Sequence, residues 1–375
     1  MRVLHAVTLH TPTGAFGGPV RVALNLAKGL AARGHRPRLV ALADGFPRPL
    51  PADVEGVPAR LFAARRVLPL GFSGLTSPAL LAGAGRLVRA ADVVHVHLAR
   101  DLVTLPVALA ALRARRPLVL QTHGMVDPSG RSLARVLDTL AVRRVLRSAD
   151  RLLYLTDHER DDLERVAGPC PPGRAVRLVN GVPAQEAGAA PAGPPRVLYA
   201  ARLHERKRPR DFVAAAPAIL RRYPDAEFVV AGPDEGELPA VRALVAGSGL
   251  AHKVHLPGPL SGAQMLTELR RAHVYVLPSV AEPFPMSVLE AMSVGTPVVV
   301  TRSNGLARDV EKAGAGRVVT AADGIADAVL DLLAPDTRRA AASAGRALTA
   351  EAFSMDTVLD TLVGEYERVR ADTGR

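Results

Sequence analysis

Two carboxylates and one lysine carry the sharpest chemical signal in the chain. Glu290 lies in the apolar run Ser287-Val-Leu-Glu290-Ala-Met-Ser-Val, which has helical length and leads through Gly295 into the strand-like Pro297-Val-Val-Val-Thr301. A carboxylate in such surroundings is costly unless it meets hydrogen-bond donors, which ligand hydroxyls or a structural arginine would supply. The start of the same helix, at Met286, Ser287 and Val288, can turn backbone N–H groups toward a diphosphate. Glu282, in the preceding Glu282-Pro-Phe284-Pro loop, can accept from further hydroxyls. Upstream, Arg202-Leu-His-Glu-Arg-Lys207-Arg-Pro209 follows a strand-like segment, and Lys207 is one of only four lysines among 48 basic residues. In so arginine-biased a chain a lysine there suits a compact point charge on a phosphate; the alternative is a solvated basic loop. Together these parts describe a site for a polyhydroxylated group joined through phosphates to a ribose.

The first half offers glycines and histidines. Gly14-Ala-Phe-Gly17-Gly18-Pro19 stands between a strand and a helix, where glycine lets the backbone approach a ligand and the helix start attracts an anion. The spacing is not that of the dinucleotide fingerprint, although Asp44 at the end of the second strand would suit the ribose of NAD, which keeps an NAD-dependent oxidoreductase as an alternative. His123 in Thr122-His123-Gly124 stands directly beyond a strand, so its polar tip is expected at the ligand cleft. His95 and His97 alternate onto one face of a strand. They could ligate a metal, but no nearby carboxylate or cysteine completes a set, so packing or hydrogen bonding is the expectation and no metal site is predicted.

The elements that must position these residues alternate. Strand-length apolar runs at 3–9, 38–43, 93–97 and 118–122 are interleaved with helical periodicity at 20–33 and 132–147. A second series follows, with strands at 197–201, 227–231, 274–277 and 297–301 and helices at 211–222, 240–246 and 286–294. This alternation predicts an α/β fold of parallel sheets wrapped by helices. Between the two series, Gln185-Glu-Ala-Gly-Ala-Ala-Pro-Ala-Gly-Pro-Pro195 cannot hold a helix or a central strand and reads as a linker. Two Rossmann-like lobes facing across a cleft are expected, with ligands beyond the carboxyl ends of the strands.

Composition sets the outer limits. A chain of 375 residues with 48% hydrophobic and 22% charged residues forms packed cores, and its length suggests two or three domains. The lone Cys170 cannot form an intramolecular disulfide or a thiolate cluster, and the N-terminal apolar stretch is too short for a signal peptide, so the cytoplasm is the expected compartment. The segment 67–85 has no charged residue, but its prolines and glycines favour a loop leading into a buried helix over a membrane span or shallow bilayer contact. The net charge is +12, and residues 1–180 hold 26 Lys and Arg against 13 Asp and Glu, so the whole excess is N-terminal. Aromatics at 3% and the absence of tryptophan argue against nucleic acid as the partner.

In its motifs the chain resembles glycosyltransferase family 4, retaining enzymes of the GT-B fold. Glu282-Pro-Phe-Pro-Met-Ser-Val-Leu-Glu290 has that family's E-x7-E spacing. Gly17-Gly18, Thr122-His123-Gly124, Asn180-Gly181-Val182, Arg202-Leu-x3-Lys207, Ala231-Gly232-Pro-Asp234 and Leu256-Pro-Gly258 agree in order over nearly the whole chain. The resemblance implies an acceptor-binding lobe over 1–182, a linker over 183–195, a donor-binding lobe over 196–352 and a terminal segment, 353–375, whose helix crosses back to the first lobe. It implies transfer of a sugar from a nucleoside-diphosphate sugar to a glycan, lipid-linked or small-molecule acceptor, without cofactor or obligatory metal. Arg202 and Lys207 would neutralise the diphosphate, Glu290 would hold the ribose, Glu282 would bind the transferred sugar, and His123 would meet that sugar from the opposite lobe. Gly17, Gly18, Phe284, Met286, Ser287 and Val288 complete the expected donor site. A non-catalytic sugar-nucleotide-binding protein is the remaining alternative.

Two departures from the family stand out. Pro285 replaces a usual glycine and removes a backbone donor. The Thr301-Arg-Ser-Asn-Gly305 turn is less glycine-rich than usual. Finally, Arg131, Arg135, Arg143, Arg144, Arg147 and Arg151 follow His123, so part of the basic excess is expected near the acceptor, drawing the enzyme to an anionic acceptor or membrane surface.

Overall fold

A computed structural model describes residues 1–12, 18–69, 71–128, 138–186 and 191–373. The chain divides into two units, Met1–Gly181 with Met355–Arg375, and Val182–Ser354.

The first unit is built on β1 (Arg2–His10), β2 (Arg36–Ala43), β3 (Asp53–Val54) and β4 (Val57–Ala63), then, past a small antiparallel pair β5 (Arg65–Arg66) and β6 (Leu75–Thr76), on β7 (Val93–His97), β8 (Leu118–Gln121), β9 (Arg151–Tyr154) and β10 (Ala175–Arg177). The main sheet runs β10-β9-β8-β7-β1-β2-β4-β3 and is parallel except for β3 on β4. From β1 the chain builds outward through β2 and β4, then returns to lay β7 on the other side of β1. The sheet therefore reverses between β1 and β7, the kind of position where open α/β sheets bind ligands.

Its central strands are apolar on both faces because helices cover both. Leu4, Ala6, Val40 and Leu42 join the core of the Pro78–Arg89 helix through Leu80 and Val88, whereas Val7, Leu39 and Ala41 join that of the Gly18–Ala32 helix through Val20, Ala23 and Leu24. This is the two-residue alternation of a strand. The charge-free 67–85 segment contributes β6 and the start of the Pro78–Arg89 helix, which buries Leu80, Ala84 and Val88. Among the described residues no helix is long and apolar enough to cross a membrane.

The helix expected over 132–147 begins outside the described residues; from Asp138 it is a π-helical turn to Val142 and an α-helix from Arg143 to Ser148. Arg131 and Arg135 also lie outside them. Arg143 and Arg147 donate through Nε to the carbonyls of Val166 and Ala167, at 2.9 and 2.5 Å. Arg151 pairs with the buried Glu365 at 2.7 Å. Much of this arginine group thus ties elements together. Glu365 belongs to the C-terminal helix Met355–Thr373, which the first unit also holds through Arg33 with Asp360 at 2.8 Å.

The second unit has β11 (Arg196–Ala200), β12 (Glu227–Ala231), β13 (Val254–Gly258), β14 (Val274–Leu277), β15 (Val298–Thr301) and β16 (Gly316–Val319). Their order is β13-β12-β11-β14-β15-β16, all parallel, with helices between them. The reversal here falls between β11 and β14. Leu256-Pro-Gly258, read from the sequence only as a motif, forms the end of β13.

Candidate active site

Two loops leave β11 and β14 at the reversal of the second sheet and carry Arg202, Lys207, Glu282 and Phe284 of the expected donor site, with Met286, Ser287, Val288 and Glu290 on the helix that follows the second loop. After β11, a 3₁₀ turn Glu205–Lys207 is capped by His204, whose Nδ1 accepts from Arg206 N at 3.1 Å. Arg208 adopts a left-handed conformation and hands the chain to the Pro209–Arg222 helix. Val280 N, after β14, donates to Arg206 O at 2.9 Å, and the Arg206 guanidinium donates to Ala281 O at 2.7 Å. Bonded in this way, the loops press Lys207 Nζ against Glu282 Oε2, with each side chain only 16% exposed. An ion pair so largely withdrawn from water is stronger than a surface pair.

Glu282 is fixed from behind. Gly305 N donates to Glu282 O at 2.8 Å. A side chain at position 305 would put its Cβ 1.8 Å from Pro283 O, so the turn after β15 requires glycine there. Asn304 shapes the same turn by accepting from Leu306 N at 3.0 Å. The turn whose composition departed from the family thus acts as the backstop of Glu282. Gly232 has a comparable role beside the first loop: its φ is +140°, and a Cβ would lie 1.9 Å from Ala201 O.

Arg202 has a different partner. Its guanidinium meets Glu235 at 2.7 and 3.0 Å and remains about half exposed. Glu235 directly follows the Ala231-Gly232-Pro-Asp234 motif and is not part of it.

The helix Met286–Ser293 follows Glu282. Pro285 precedes it, no side chain caps it, and Val288 N is already used on Pro285 O at 3.2 Å. Met286 and Ser287 remain at its start. The Tyr275 hydroxyl donates to Ala200 O at 2.9 Å and shares a bond with Ser287 Oγ at 2.8 Å. A phenol has one proton and a carbonyl only accepts, so Ser287 donates in the second bond. Burial, and then the charges of Glu290 and Glu282, push the Tyr275 pKa well up, so the hydroxyl stays protonated with both carboxylates near it. Glu290 is half-buried. Phe284 is 8% exposed and meets Phe353 edge-on at 6.0 Å, and Val288 is fully buried, so both side chains pack in the unit's interior.

In the first unit His123 follows β8 with a left-handed φ of 52°. Its loop is held by the buried carboxylate of Glu159, which accepts from Thr122 Oγ1 at 2.5 Å, Gly124 N at 2.6 Å and Leu155 N at 2.7 Å. Thr156 and Glu159 have the spacing of a capping box, and Thr156 Oγ1 does accept from Glu159 N at 3.2 Å. That spacing was the legible signal; the use of the carboxylate on the His123 loop was not. His123 is half-buried as a residue, and burial of its imidazole pushes the pKa down to about 3. Gly18 opens the Gly18–Ala32 helix and is exposed. Gly17 lies outside the described residues.

Comparison with known proteins shows the family and the fold. Residues 17–181 match the glycosyl transferase 4-like domain, and residues 194–335 match the domain described as glycosyl transferases group 1. The D-inositol 3-phosphate glycosyltransferase of Xylanimonas cellulosilytica is 30% identical over 91% of this chain and 89% of its own length. The D-inositol 3-phosphate glycosyltransferase 2 of Catenulispora acidiphila is also 30% identical, over 48% of this chain, and the match spans 46% of that relative. The crystal structure of Anabaena HepE with UDP and glucose matches with a TM-score of 0.77 at 18% identity, covering 98% of this chain and 100% of that one. The chain therefore belongs to the family 4-type glycosyltransferases, enzymes of the GT-B fold.

Proposed function

We propose that the protein is a retaining, metal-independent hexosyltransferase that takes its sugar from a nucleoside diphosphate. The observation that carries this reading is the juxtaposition of Lys207 and Glu282 on two loops at the reversal of the second sheet. A diphosphate is the anion for Lys207, with the uncapped start of the Met286–Ser293 helix, and Arg202 once it exchanges Glu235 for phosphate, as further positive partners. Glu282, released from Lys207 by that phosphate, accepts from hydroxyls of the transferred sugar, and Glu290 accepts from those of the ribose. His123 is the contact that the first unit makes with the sugar. Cationic side chains and backbone N–H groups aimed at the departing phosphate do the work that a divalent ion does elsewhere. The acceptor attacks from the face that the phosphate leaves, and the phosphate takes its proton, so no protein nucleophile is assigned.

The test is turnover with a panel of UDP-, GDP- and ADP-sugars and phosphorylated polyol, glycan and lipid-linked acceptors. An inositol phosphate comes first because it is named in two relatives. The anomeric configuration of the product is read by proton NMR, with and without EDTA. A retained anomer formed equally in EDTA supports the proposal; an inverted one, or loss of activity with the chelator, overturns it. Binding of nucleotide sugar without turnover across the panel would favour a non-catalytic binding protein.

A second observation supports contact with an anionic surface. A groove of about 1130 Å³ in the first unit is lined by Arg36, Arg38, Arg60 and Arg86, none of which makes an ion pair among the described residues. Salt-sensitive cosedimentation with anionic vesicles, reduced by Arg38→Glu with Arg60→Glu, is the expected result. Equal binding by that variant would exclude the groove as the contact surface.

A further inference from the structure

Four imidazoles lie at the reversal of the first sheet. His5 comes from β1, His95 and His97 from β7, and His123 from the loop after β8. The rings of His95 and His97 stack at 4.6 Å and 9°, and those of His97 and His123 at 5.1 Å and 5°. His5, His95 and His97 are fully buried. His95 Nδ1 meets the Tyr366 hydroxyl of the C-terminal helix at 2.6 Å. The other three form a chain: His5 Nδ1 lies 3.2 Å from His97 Nε2, and His97 Nδ1 lies 2.8 Å from His123 Nε2. Both nitrogens of His97 are thereby used. The three buried imidazoles offer nitrogens within 4.8 Å of one another, but a metal would have to take one from His97 and break this chain.

A neutral imidazole carries one proton, so each bond needs a protonated nitrogen on one side and a bare one on the other. Only two orders satisfy both bonds. Either every proton points toward His123, leaving His123 protonated on Nδ1 and His5 Nε2 bare, or every proton points toward His5, leaving an N–H at His5 Nε2. That His5 nitrogen is buried and has no hydrogen-bond partner among the described residues. Orphaned buried N–H donors are rarer than under-satisfied acceptors, so the first order is favoured. Burial pushes the pKa of His5 down to about 3 and that of His97 well down, and the groups that act on His97 are the other imidazoles, so the chain stays neutral.

We propose that His97, backed by His5, is a positioning residue that fixes His123 as the neutral Nδ1–H tautomer. The imidazole then offers a hydrogen-bond donor, not an acceptor, to an oxygen of the bound sugar. The sugar contact rests on the function proposed above; the tautomer does not.

The experiment separates the two. Long-range proton–nitrogen NMR of full-length protein labelled in its histidines, with His123 assigned by its loss in His123→Gln, reads the tautomer at pH 7.5. The expected wild-type signal is a protonated Nδ1 and a bare Nε2. In His97→Phe, which keeps a ring in the stack but no nitrogen, His123 is expected to become a mixture of tautomers, with a raised titration midpoint and about tenfold lower kcat/KM for the sugar nucleotide that the wild type uses. A wild-type Nε2–H tautomer overturns the proposal even if the variant does not fold. So does an unchanged His123 in a folded His97→Phe protein, or stoichiometric zinc uptake that requires His97. If no sugar nucleotide is turned over but Nδ1–H is found, the tautomer stands and only the sugar contact falls.

Discussion

Lys207 and Glu282 stand 75 positions apart in sequence and form one ion pair, largely withdrawn from solvent, where the loops after β11 and β14 meet. Each is the other's main charge partner, so removing either leaves a half-buried charge exposed to the full cost of desolvation. Lys207→Ala and Glu282→Ala are each expected to lower kcat/KM for the nucleotide sugar by about 100-fold or more. The double variant should lose much less than the product of the two. A double-mutant cycle on kcat/KM measures this, and strict additivity would show that the pair does not act as a unit.

Glu159 touches no expected ligand group but holds the loop that presents His123. Glu159→Gln keeps the shape and removes the charge from three hydrogen bonds at 2.5 to 2.7 Å. The expected cost is about 2–4 kcal/mol of stability, since bonds to a charged group are worth roughly 1.5–3 kcal/mol each and the amide recovers some. Denaturant unfolding measures it, and kcat should fall in the fraction that remains folded.

Tyr275→Phe should cost about 1–2 kcal/mol, leaving Ala200 O and Ser287 each short of a partner. Because Ser287 lies at the start of the helix assigned to the diphosphate, KM for the donor should rise more than kcat falls. An unchanged KM would place Ser287 outside the donor contacts.

Gly305→Ala tests the backstop of Glu282. The new Cβ would meet Pro283 O at 1.8 Å, a backbone contact that cannot rotate away. Thermal unfolding should show a loss of about 2 kcal/mol or more, and donor binding should weaken in parallel as Glu282 is displaced. Wild-type donor affinity in a destabilised variant would separate the turn from the site.

Stability should fall in mild acid. His5, His95 and His97 have pKa values pushed below the usual imidazole range by burial, that of His5 to about 3. Their neutral form is therefore favoured by folding, the stabilisation is complete above about pH 6.5, and it is lost as pH falls toward the folded values. Each adds ~1.4 kcal/mol per pH unit to the slope in that window. The melting temperature should drop steeply between pH 6.5 and 5, and His5→Phe should make the drop shallower by about one proton.

Much of the fold was legible in the sequence because its signals are local. Apolar runs of strand length alternate with helical periodicity, and the strands 93–97, 227–231 and 274–277 fall where periodicity put them. The motifs carrying Glu282, Glu290, Lys207 and His123 could be read as a series, and with them the family. Pairing could not be read, because it depends on which strands lie side by side. Strand order alone brings β14 against β11, and so Glu282 to Lys207; it also sets His5 of β1 opposite His95 of β7, adding a third imidazole to a pair judged incomplete. The basic excess has the same lesson. Its location in the first 180 residues was a matter of counting, but only packing decided which arginines are spent on carbonyls and Glu365 and which, around the groove, make no ion pair among the described residues, since a charge's partner is set by distance in space and not along the chain.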